Sequence, residues 1–285
     1  MANLETAPPL TEEEYARVFS NFKDISTEYD VMAGIASTFI TENKFNENPV
    51  KMLSVGAGRG NFELKMVQEL GLKIEYIYAV EPNAKHVSEL HSVLGGLGLE
   101  YKVSSSFFDT KFQLEDSKCD KFDFILFSHS LYGFDDSRGS VLHASKFLKP
   151  GGKMLIFNQG EDATAAIFTY LVDRSDPEIF SPDKCIGDHS LTAEKIISQL
   201  EEDSSNLTIS AMRERVYEDV DDFVRRVDTP QRNYKINFFL QAEYEKLSEE
   251  TQNHIYKMVA ENCDVIQGRF QWCHWTIGIV VSFQV

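Results

Sequence analysis

The segment 52–60 constrains the fold of this chain more than any other part of the sequence. It begins as an apolar run and continues with three glycines at alternate positions, Gly56, Gly58 and Gly60. The residues after them, 61–70, carry apolar side chains at helical spacing. Glycine lets a backbone approach a ligand closely, and the first turn of a helix offers unpaired N–H groups. The segment therefore predicts a strand, a glycine turn and a helix that together bind a nucleotide.

A second strand follows at the distance expected of a nucleotide-binding fold. Residues 74–80 are apolar and lead into Glu81 and Pro82, with Glu81 21 positions after Gly60. An acidic residue about 20 positions after the glycines is placed to bind two ribose hydroxyls. The glycines are spaced G-x-G-x-G, whereas a dinucleotide fingerprint is G-x-G-x-x-G. With V-E-P after it, this spacing resembles the S-adenosylmethionine (SAM) turn of Rossmann-like methyltransferases. The alternative is a glycine-rich loop followed by an acidic residue by chance.

Composition narrows the class of protein. At 285 residues with 42% hydrophobic side chains, the chain suits one large domain or a domain with an insertion. A formal net charge of −17 argues against a nucleic-acid partner, because phosphates are bound by clustered Lys and Arg. The acidic surface either attracts a small cation or only keeps the protein soluble.

The same sequence predicts no membrane partner and no metal. No apolar run approaches the roughly 18 residues that cross a bilayer, and the N-terminus lacks a signal-peptide pattern. The cysteines are far apart and form no C-x-x-C pair, which indicates neither a zinc site nor a disulfide framework. They are Cys119, Cys185, Cys263 and Cys273. We therefore expect a monomeric, cytoplasmic protein of a reducing compartment.

The N-terminal segment predicts aromatic helices. Tyr15, Phe19 and Phe22 fall on one helix face, and such a stripe most often belongs to a core. Ser26 follows at a position where it can cap a second helix. Glu28 is then either a first-turn acid favoured by the helix dipole or a binding residue.

Polar residues follow the third and fourth predicted strands, 99–103 and 122–128. Ligands of open α/β sheets bind outside the carboxyl ends of the strands. After the third strand, a serine hydroxyl can bond the edge of an adenine and a Phe ring can stack on it, although an ordinary serine-rich loop is an equal alternative. The candidates at the two strand ends are Ser106, Phe107, Ser128, His129 and Tyr132.

The sequence predicts an α/β fold with a Rossmann-like, seven-stranded SAM-dependent methyltransferase sheet flanked by helices. A P-G-G turn leads into the fifth strand, and residues 207–217 and 275–283 read as the last two. About 55 residues separate these two strands, too many for a structureless loop, and they predict a helical insertion. The predicted parts are a helical cap over the substrate site (1–46), the SAM-binding domain (47–217), a helical substrate-binding insertion (218–274) and the last strand (275–285).

The order of these motifs resembles the histamine N-methyltransferase family. The shared elements are the aromatic N-terminal helix, S-T-E, G-x-G-x-G, V-E-P, F-D-F-I, L-Y and K-M-L-I, clearest between residues 15 and 157. The resemblance implies an enzyme that uses SAM, releases S-adenosylhomocysteine (SAH), and methylates a nitrogen of a small biogenic amine or imidazole compound. Transfer would be a direct in-line displacement without a metal or covalent intermediate.

The resemblance also implies roles for particular residues. The SAM contacts of the family match Gly56, Glu81 and Ser106, and Ser128 matches the residue against the adenosyl group. The glutamate that anchors the amine matches Glu28, with aromatic neighbours at Tyr15, Phe19 and Phe238.

Several positions depart from the family pattern. A SAM-contacting Gln is His86 here, and a Gln after the fourth strand is His129. The second tyrosine of L-Y-Y is Gly133, a pocket tryptophan aligns near Ala165, and the Asn that starts the last strand aligns with Trp275. The SAM half of the pattern is intact and the acceptor half is rebuilt, so the resemblance implies an amine or imidazole acceptor without implying histamine itself.

Two other hypotheses stay open. The chain could methylate another nucleophile, such as a carboxylate, a hydroxyl or a protein side chain. It could also be a catalytically silent SAM-binding protein, which the intact glycines and Glu81 disfavour.

Overall fold

The computed structural model describes residues 4–115, 119–202, 206–229 and 231–283. Side chains in 20–25 are not among those described, so Phe22 of the aromatic stripe lies outside them. Two compact units form within the chain. The first contains residues 1–29, 159–192 and 215–276, and the second contains 30–158, 193–214 and 277–285.

A mixed β-sheet forms the framework. Its strands are β1 (Val50–Val55), β2 (Ile74–Val80), β3 (Glu100–Ser104), β4 (Phe122–Ser128), β5 (Leu148–Gln159), β6 (Leu207–Asp219), β7 (Cys263–Ile266) and β8 (Arg269–Phe283). The order across the sheet is β3-β2-β1-β4-β5-β8-β6, and β7 pairs with β8 outside this path. The neighbours from β3 to β5 are all parallel.

Helices alternate with the strands along the chain, which confirms the predicted Rossmann-like α/β class. They are α1 (Glu12–Ile25), α2 (Glu28–Glu42), α3 (Asn61–Gln68), α4 (Ala84–Gly96), α5 (Ser137–Ser145), α6 (Ala163–Arg174), α7 (Ala193–Glu201), α8 (Asp221–Val224), α9 (Tyr234–Leu240) and α10 (Glu249–Glu261). Within the described residues, none of these helices is long and apolar enough to cross a membrane.

The centre of the second unit is the pair β1 and β4. Met52 and Leu53 on β1 and Ile125 and Leu126 on β4 have no solvent exposure. Successive buried residues point to opposite faces of a strand, so both faces of the sheet are covered here. The chain order reverses between β1 and β4, and this is the position at which open α/β sheets bind ligands.

The first unit has its own apolar core. It is built from α6, α9 and α10 together with the inward face of β8. Ile236, Leu240, Ile255 and Trp272 are fully buried in it.

The insertion between the last two predicted strands is only partly helical. The predicted helical insertion ends instead in a strand, because β7 pairs with β8 in a hairpin. Gln267 and Gly268 form the turn with φ of 52° and 80°, and such left-handed pairs match the twist of a hairpin. β8 therefore begins at Arg269 rather than at residue 275. β6 also extends further than predicted, to Asp219 rather than residue 217.

The compact units also group the chain differently from the predicted segments. Residues 30–46 belong to the unit that contains most of the sheet, and residues 159–192 belong to the unit that contains most of the insertion.

Candidate active site

The glycine turn joins β1 to α3 in the second unit. Gly56, Gly58 and Gly60 all have left-handed backbones, with φ of 67°, 56° and 78°. L-residues with a β-carbon rarely adopt this region, which explains three glycines in five positions. Gly60 precedes α3 directly, so the first N–H groups of that helix lie beside the turn.

Glu81 closes the turn from the end of β2. Its carboxylate oxygens accept hydrogen bonds from Gly58 N (2.8 Å) and Asn83 N (2.9 Å), and Nδ1 of His86 lies 3.7 Å from Oε1. Only 6% of the residue is exposed. Burial raises the pKa of the Glu81 carboxyl, but the bonds from His86, Asn83 and Gly58 outweigh it and hold that pKa below its usual range. Glu81 is therefore an ionised acceptor fixed beside the glycines, and Pro82 follows it half-buried.

The ends of β3 and β4 place the other predicted contacts on the same edge of the sheet. Ser106 is exposed, and its N–H bonds Ser104 Oγ at 3.4 Å. Phe107 is 78% exposed, unlike the buried Phe108 beside it. An exposed ring after the third strand is available to a flat ligand.

After β4, His129 adopts a left-handed backbone with φ of 49°, and its N–H bonds Phe157 O at 3.1 Å. Ser128 and His129 are half-buried, and so is Tyr132 in a short 3₁₀ turn. A positive φ at a residue other than glycine is uncommon, and backbone strain of this kind clusters at functional sites.

Ser130 is a residue that the sequence analysis missed. Its Oγ donates to Val55 O at 2.9 Å, and a β-carbon at Gly56 would lie 2.4 Å from its Cβ. Ser130 therefore packs directly against the first glycine of the turn. Because the contact joins residues 75 positions apart, no local pattern in the sequence predicts it.

The residues of this edge fit SAM. A β-carbon at Gly58 would meet nothing within 4 Å, so the turn borders open space at its middle glycine. Glu81 is ionised, and the two lone pairs of each carboxylate oxygen leave room for ribose hydroxyls beside the backbone N–H groups. Gly56, Gly58, Gly60 and Glu81 would hold the nucleoside, with Phe107 available to the base.

Glu28 lies in the first unit as the first residue of α2. It is 8% exposed, its N–H bonds Ser26 Oγ at 3.0 Å, and its Oε1 accepts from Thr276 Oγ1 at 3.2 Å. Ser26 Oγ in turn donates to Oε1 of Glu218 at 2.5 Å. Ser26 thus accepts the first N–H of α2 and also connects this helix to the end of β6.

Glu218 and His274 form a buried pair next to this element. Nε2 of His274 lies 3.3 Å from Oε1 of Glu218, and the side chains are 1% and 0% exposed. Burial raises the pKa of Glu218, and His274, Lys235 and Ser26 offset this only in part. Burial alone would lower the pKa of His274, but the bond to Glu218 and the charges of Glu218, Glu28 and Asp162 raise it above its usual value.

The three predicted aromatic residues of the acceptor site contact each other. Tyr15 and Phe19 stack with ring centroids 5.8 Å apart, and Phe238 lies 5.8 Å from Tyr15 and 5.7 Å from Phe19. Phe238 also meets the ring of His189 at 5.3 Å. This aromatic cluster belongs to the same unit as Glu28.

Trp275 lies on the face of β8 opposite to Thr276, which bonds Glu28. Side chains alternate along a strand, so His274 and Thr276 share one face and Trp275 points to the opposite one. There the guanidinium of Arg215 lies 5.3 Å from the indole ring, and Trp275 N bonds Asp162 Oδ2 at 2.7 Å. Thr276 is the residue of β8 that bonds Glu28, and the sequence analysis did not single it out. A polar residue within an apolar strand was the signal that could have identified it.

The fold and the family whose model the chain matches are those of a class I SAM-dependent methyltransferase, an enzyme that takes its methyl group from SAM. The chain belongs to the methyltransferase domain family, whose model matches residues 27–180.

Among curated proteins, the chain is similar to Carnosine N-methyltransferase 2 of Gallus gallus. The two are 29% identical over 171 residues, which cover 52% of this chain and 50% of that protein. The chain therefore matches about half the length of this relative.

Among solved structures, the fold is similar to YcgJ of Bacillus subtilis, with a TM-score of 0.55, 16% identity, and 88% and 99% of the two chains covered. It is also similar to the plantazolicin methyltransferase BpumL in complex with SAH, with a TM-score of 0.54, 12% identity, and 96% and 92% covered. At such identities these structures show the fold alone.

Proposed function

We propose that this methyltransferase transfers the methyl group of SAM to a nitrogen of a small cationic amine or imidazole compound. The observation that carries the proposal is the placement of Glu28. Its carboxylate is buried, its backbone is held by Ser26, and its Oε1 is held by Thr276. A carboxylate removed from water favours a partner that is cationic or donates N–H bonds.

Glu28 would bind and orient the acceptor. Bound SAM supplies a methyl group activated by its sulfonium. The nitrogen that attacks must be neutral, and Glu28 can accept a hydrogen bond from another N–H of the same molecule, which fixes the direction of the reacting lone pair. Correct orientation of reacting groups is worth up to roughly 7–11 kcal/mol in well-ordered systems.

The aromatic cluster of Tyr15, Phe19 and Phe238 supports a cationic acceptor. The faces of aromatic rings attract cations by about 0.5–2 kcal/mol each, depending on how far the pair is removed from water. The name of the curated relative, a carnosine N-methyltransferase, supports a nitrogen as the methylated atom. The proposal includes the prediction that residues 1–46 and 218–274 form the acceptor-binding part of the enzyme. It also includes the prediction that the enzyme is monomeric and cytoplasmic.

The direct test is mass-spectrometric detection of methyl transfer from SAM to a pooled panel of histamine, histidine, carnosine, tryptamine and phenylethylamine. We expect one member to gain a methyl group only when both SAM and the protein are present. The fragmentation pattern of the product identifies the methylated nitrogen.

The Glu28→Gln variant then tests the anchor. It removes the charge and keeps the shape, so we expect the KM of the acceptor to rise at least tenfold while SAH affinity stays unchanged. Asp30→Asn is the matched control, because Asp30 is two residues further along the same helix and its side chain is 84% exposed. Acceptor kinetics unaffected by Glu28→Gln would remove Glu28 from the site. A panel without any methylated product, in a protein that binds SAH, would favour another nucleophile.

A further inference from the structure

Two strands of the first unit hold the proposed acceptor anchor from both sides. On β6, the carboxylate of Glu218 accepts from Ser26 Oγ at 2.5 Å, and Ser26 Oγ accepts from Glu28 N at 3.0 Å. On β8, Thr276 donates to the carboxylate of Glu28 at 3.2 Å. Backbone pairing between Ser26 and Glu218 reinforces the first link.

The second link between the two strands is the contact of Glu218 with His274. His274 lies two residues before Thr276 on the same face of β8, and its Nε2 is 3.3 Å from the Oε1 atom that also accepts from Ser26. The ring of Phe239 covers His274 with centroids 5.5 Å apart. The anchor, its capping serine and the buried pair therefore form one continuous polar group.

This polar group is costly to bury. Among the described residues, Oε2 of Glu218 and Nδ1 of His274 are buried and have no hydrogen-bond partner. Native proteins leave few buried polar atoms without a partner. A buried ion pair is also weak evidence for stability, because apolar residues of similar volume often replace it at no loss. A functional role would explain why the pair is present next to Glu28.

The charges around His274 are mainly negative. Glu218 on β6, Glu28 on α2 and Asp162 before α6 all stabilise its protonated form. Lys235 of α9 places a positive charge that acts on Glu218, and it bonds the backbone of Asp219. A positive charge that arrives at Glu28 would compete with the proton on His274.

We propose that the Glu218–His274 pair is a positioning device for Glu28, and that a cationic acceptor bound at Glu28 displaces the proton of His274 to solvent. The inference rests on the proposed function, since it takes Glu28 as the acceptor anchor. Glu218, Ser26 and His274 act through Glu28 and are positioning residues.

The coupling is reciprocal. If acceptor binding lowers the affinity of His274 for its proton, protonation of His274 lowers the affinity for the acceptor by the same factor. A neutral acceptor makes no such exchange. The pair would therefore discriminate between cationic and neutral molecules of similar shape, and this discrimination would increase with pH.

The experiment is an NMR titration of the protein labelled with 13C in its seven histidines. His274→Gln assigns the signal of His274, and His254, which is exposed and stacked on Tyr170, is the internal reference. Titrations are run with SAH alone, with added histamine or tryptamine, and with uncharged indole. The same titration of Glu28→Gln needs no acceptor.

We expect Glu28→Gln to lower the pKa of His274 by about 1 unit, the size expected for loss of a nearby opposite charge. A cationic acceptor should do the same in the unmodified protein, indole should not, and His254 should not move. An unchanged His274 in Glu28→Gln overturns the proposal. A lowered value in Glu28→Gln with no response to any amine keeps the coupling and overturns the amine acceptor.

Ser26→Ala keeps the test decisive if Glu28→Gln fails to fold. Without the hydroxyl, Glu28 loses its connection to Glu218, so the acceptor KM should rise about tenfold while SAH affinity is retained. Ser26→Thr restores the hydroxyl and should restore KM. A KM that is unchanged in Ser26→Ala, or not rescued by Ser26→Thr, overturns the positioning role.

Discussion

At the scale of single residues, the carboxylate of Glu81 has a fixed orientation and still has lone pairs that can accept hydrogen bonds from a ligand. Backbone N–H groups on both sides hold its carboxylate, and His86 adds a third contact. Such a carboxylate requires little reordering when ribose hydroxyls approach. The same groups keep it ionised, which makes it a stronger acceptor than a neutral amide.

Glu81→Gln should therefore weaken SAH binding by about 10–100-fold, the equivalent of a hydrogen bond to a charged group. Isothermal titration calorimetry measures this directly. Glu75→Gln is the matched control, because Glu75 is on the same strand with 61% of its side chain exposed. Equal SAH affinity in both variants would show that Glu81 does not bind the nucleoside.

At the scale of elements, the sequence predicted the glycine turn and the ends of the parallel strands better than the contacts around Glu28, because those contacts join residues far apart in the chain. The glycines and Glu81 directly follow strands and Ser128 ends one, so a local pattern locates them. Ser26 and Glu218 are 192 positions apart, and Glu28 and Thr276 are 248 apart, so no local pattern joins them. On β8 the sequence analysis selected Trp275, whose side chain points to the face opposite to that of Thr276, the residue that bonds Glu28.

The β7–β8 hairpin shows that a local pattern also fails within the insertion. Helical periodicity in α10 continues into Cys263–Ile266, and only the Gln267–Gly268 turn signals that the chain reverses. Gly268→Ala should lower the free energy of unfolding by about 1 kcal/mol, because a β-carbon strains a left-handed backbone. Gly96→Ala, at the end of α4 with open space for a β-carbon, should not lower the free energy of unfolding. Urea unfolding measures the free energy of unfolding of both variants. Equal values would show that alanine at position 268 does not strain the turn.

At the scale of the whole molecule, both the net charge and the buried histidine make the fold less stable as the pH rises above 5. Acidic residues number 45 against 28 basic ones, so repulsion decreases as the pH approaches the pI of about 4.8. His274 has a raised pKa, so its stabilising contribution is complete below its unfolded value and is lost as pH rises. Glu5, Glu81 and Asp219 have lowered pKa values, so their contribution is lost as pH falls through the folded values.

We therefore expect Tm to increase from pH 8 to about pH 5.5 and to fall steeply below about pH 4.5, since the two sets of groups lose their contributions at opposite ends of this range. Thermal unfolding at constant ionic strength measures this curve. His274→Gln should flatten its upper part, because the group whose contribution is lost there is removed. A Tm that is constant between pH 5.5 and 8 in the unmodified protein would contradict the raised pKa of His274.

The contact between Gly56 and Ser130 has a consequence for how this sequence can vary. The space that a side chain at position 56 would need is already occupied by the β-carbon of Ser130. Position 56 is thus closed to substitution in this background for two reasons, the volume of its neighbour and its own left-handed backbone. A glycine at position 130 would remove the steric conflict. Position 56 would then accept only residues that tolerate a left-handed backbone, chiefly Asn and Asp. Evolutionary change at these two positions is therefore ordered, with 130 changing before 56.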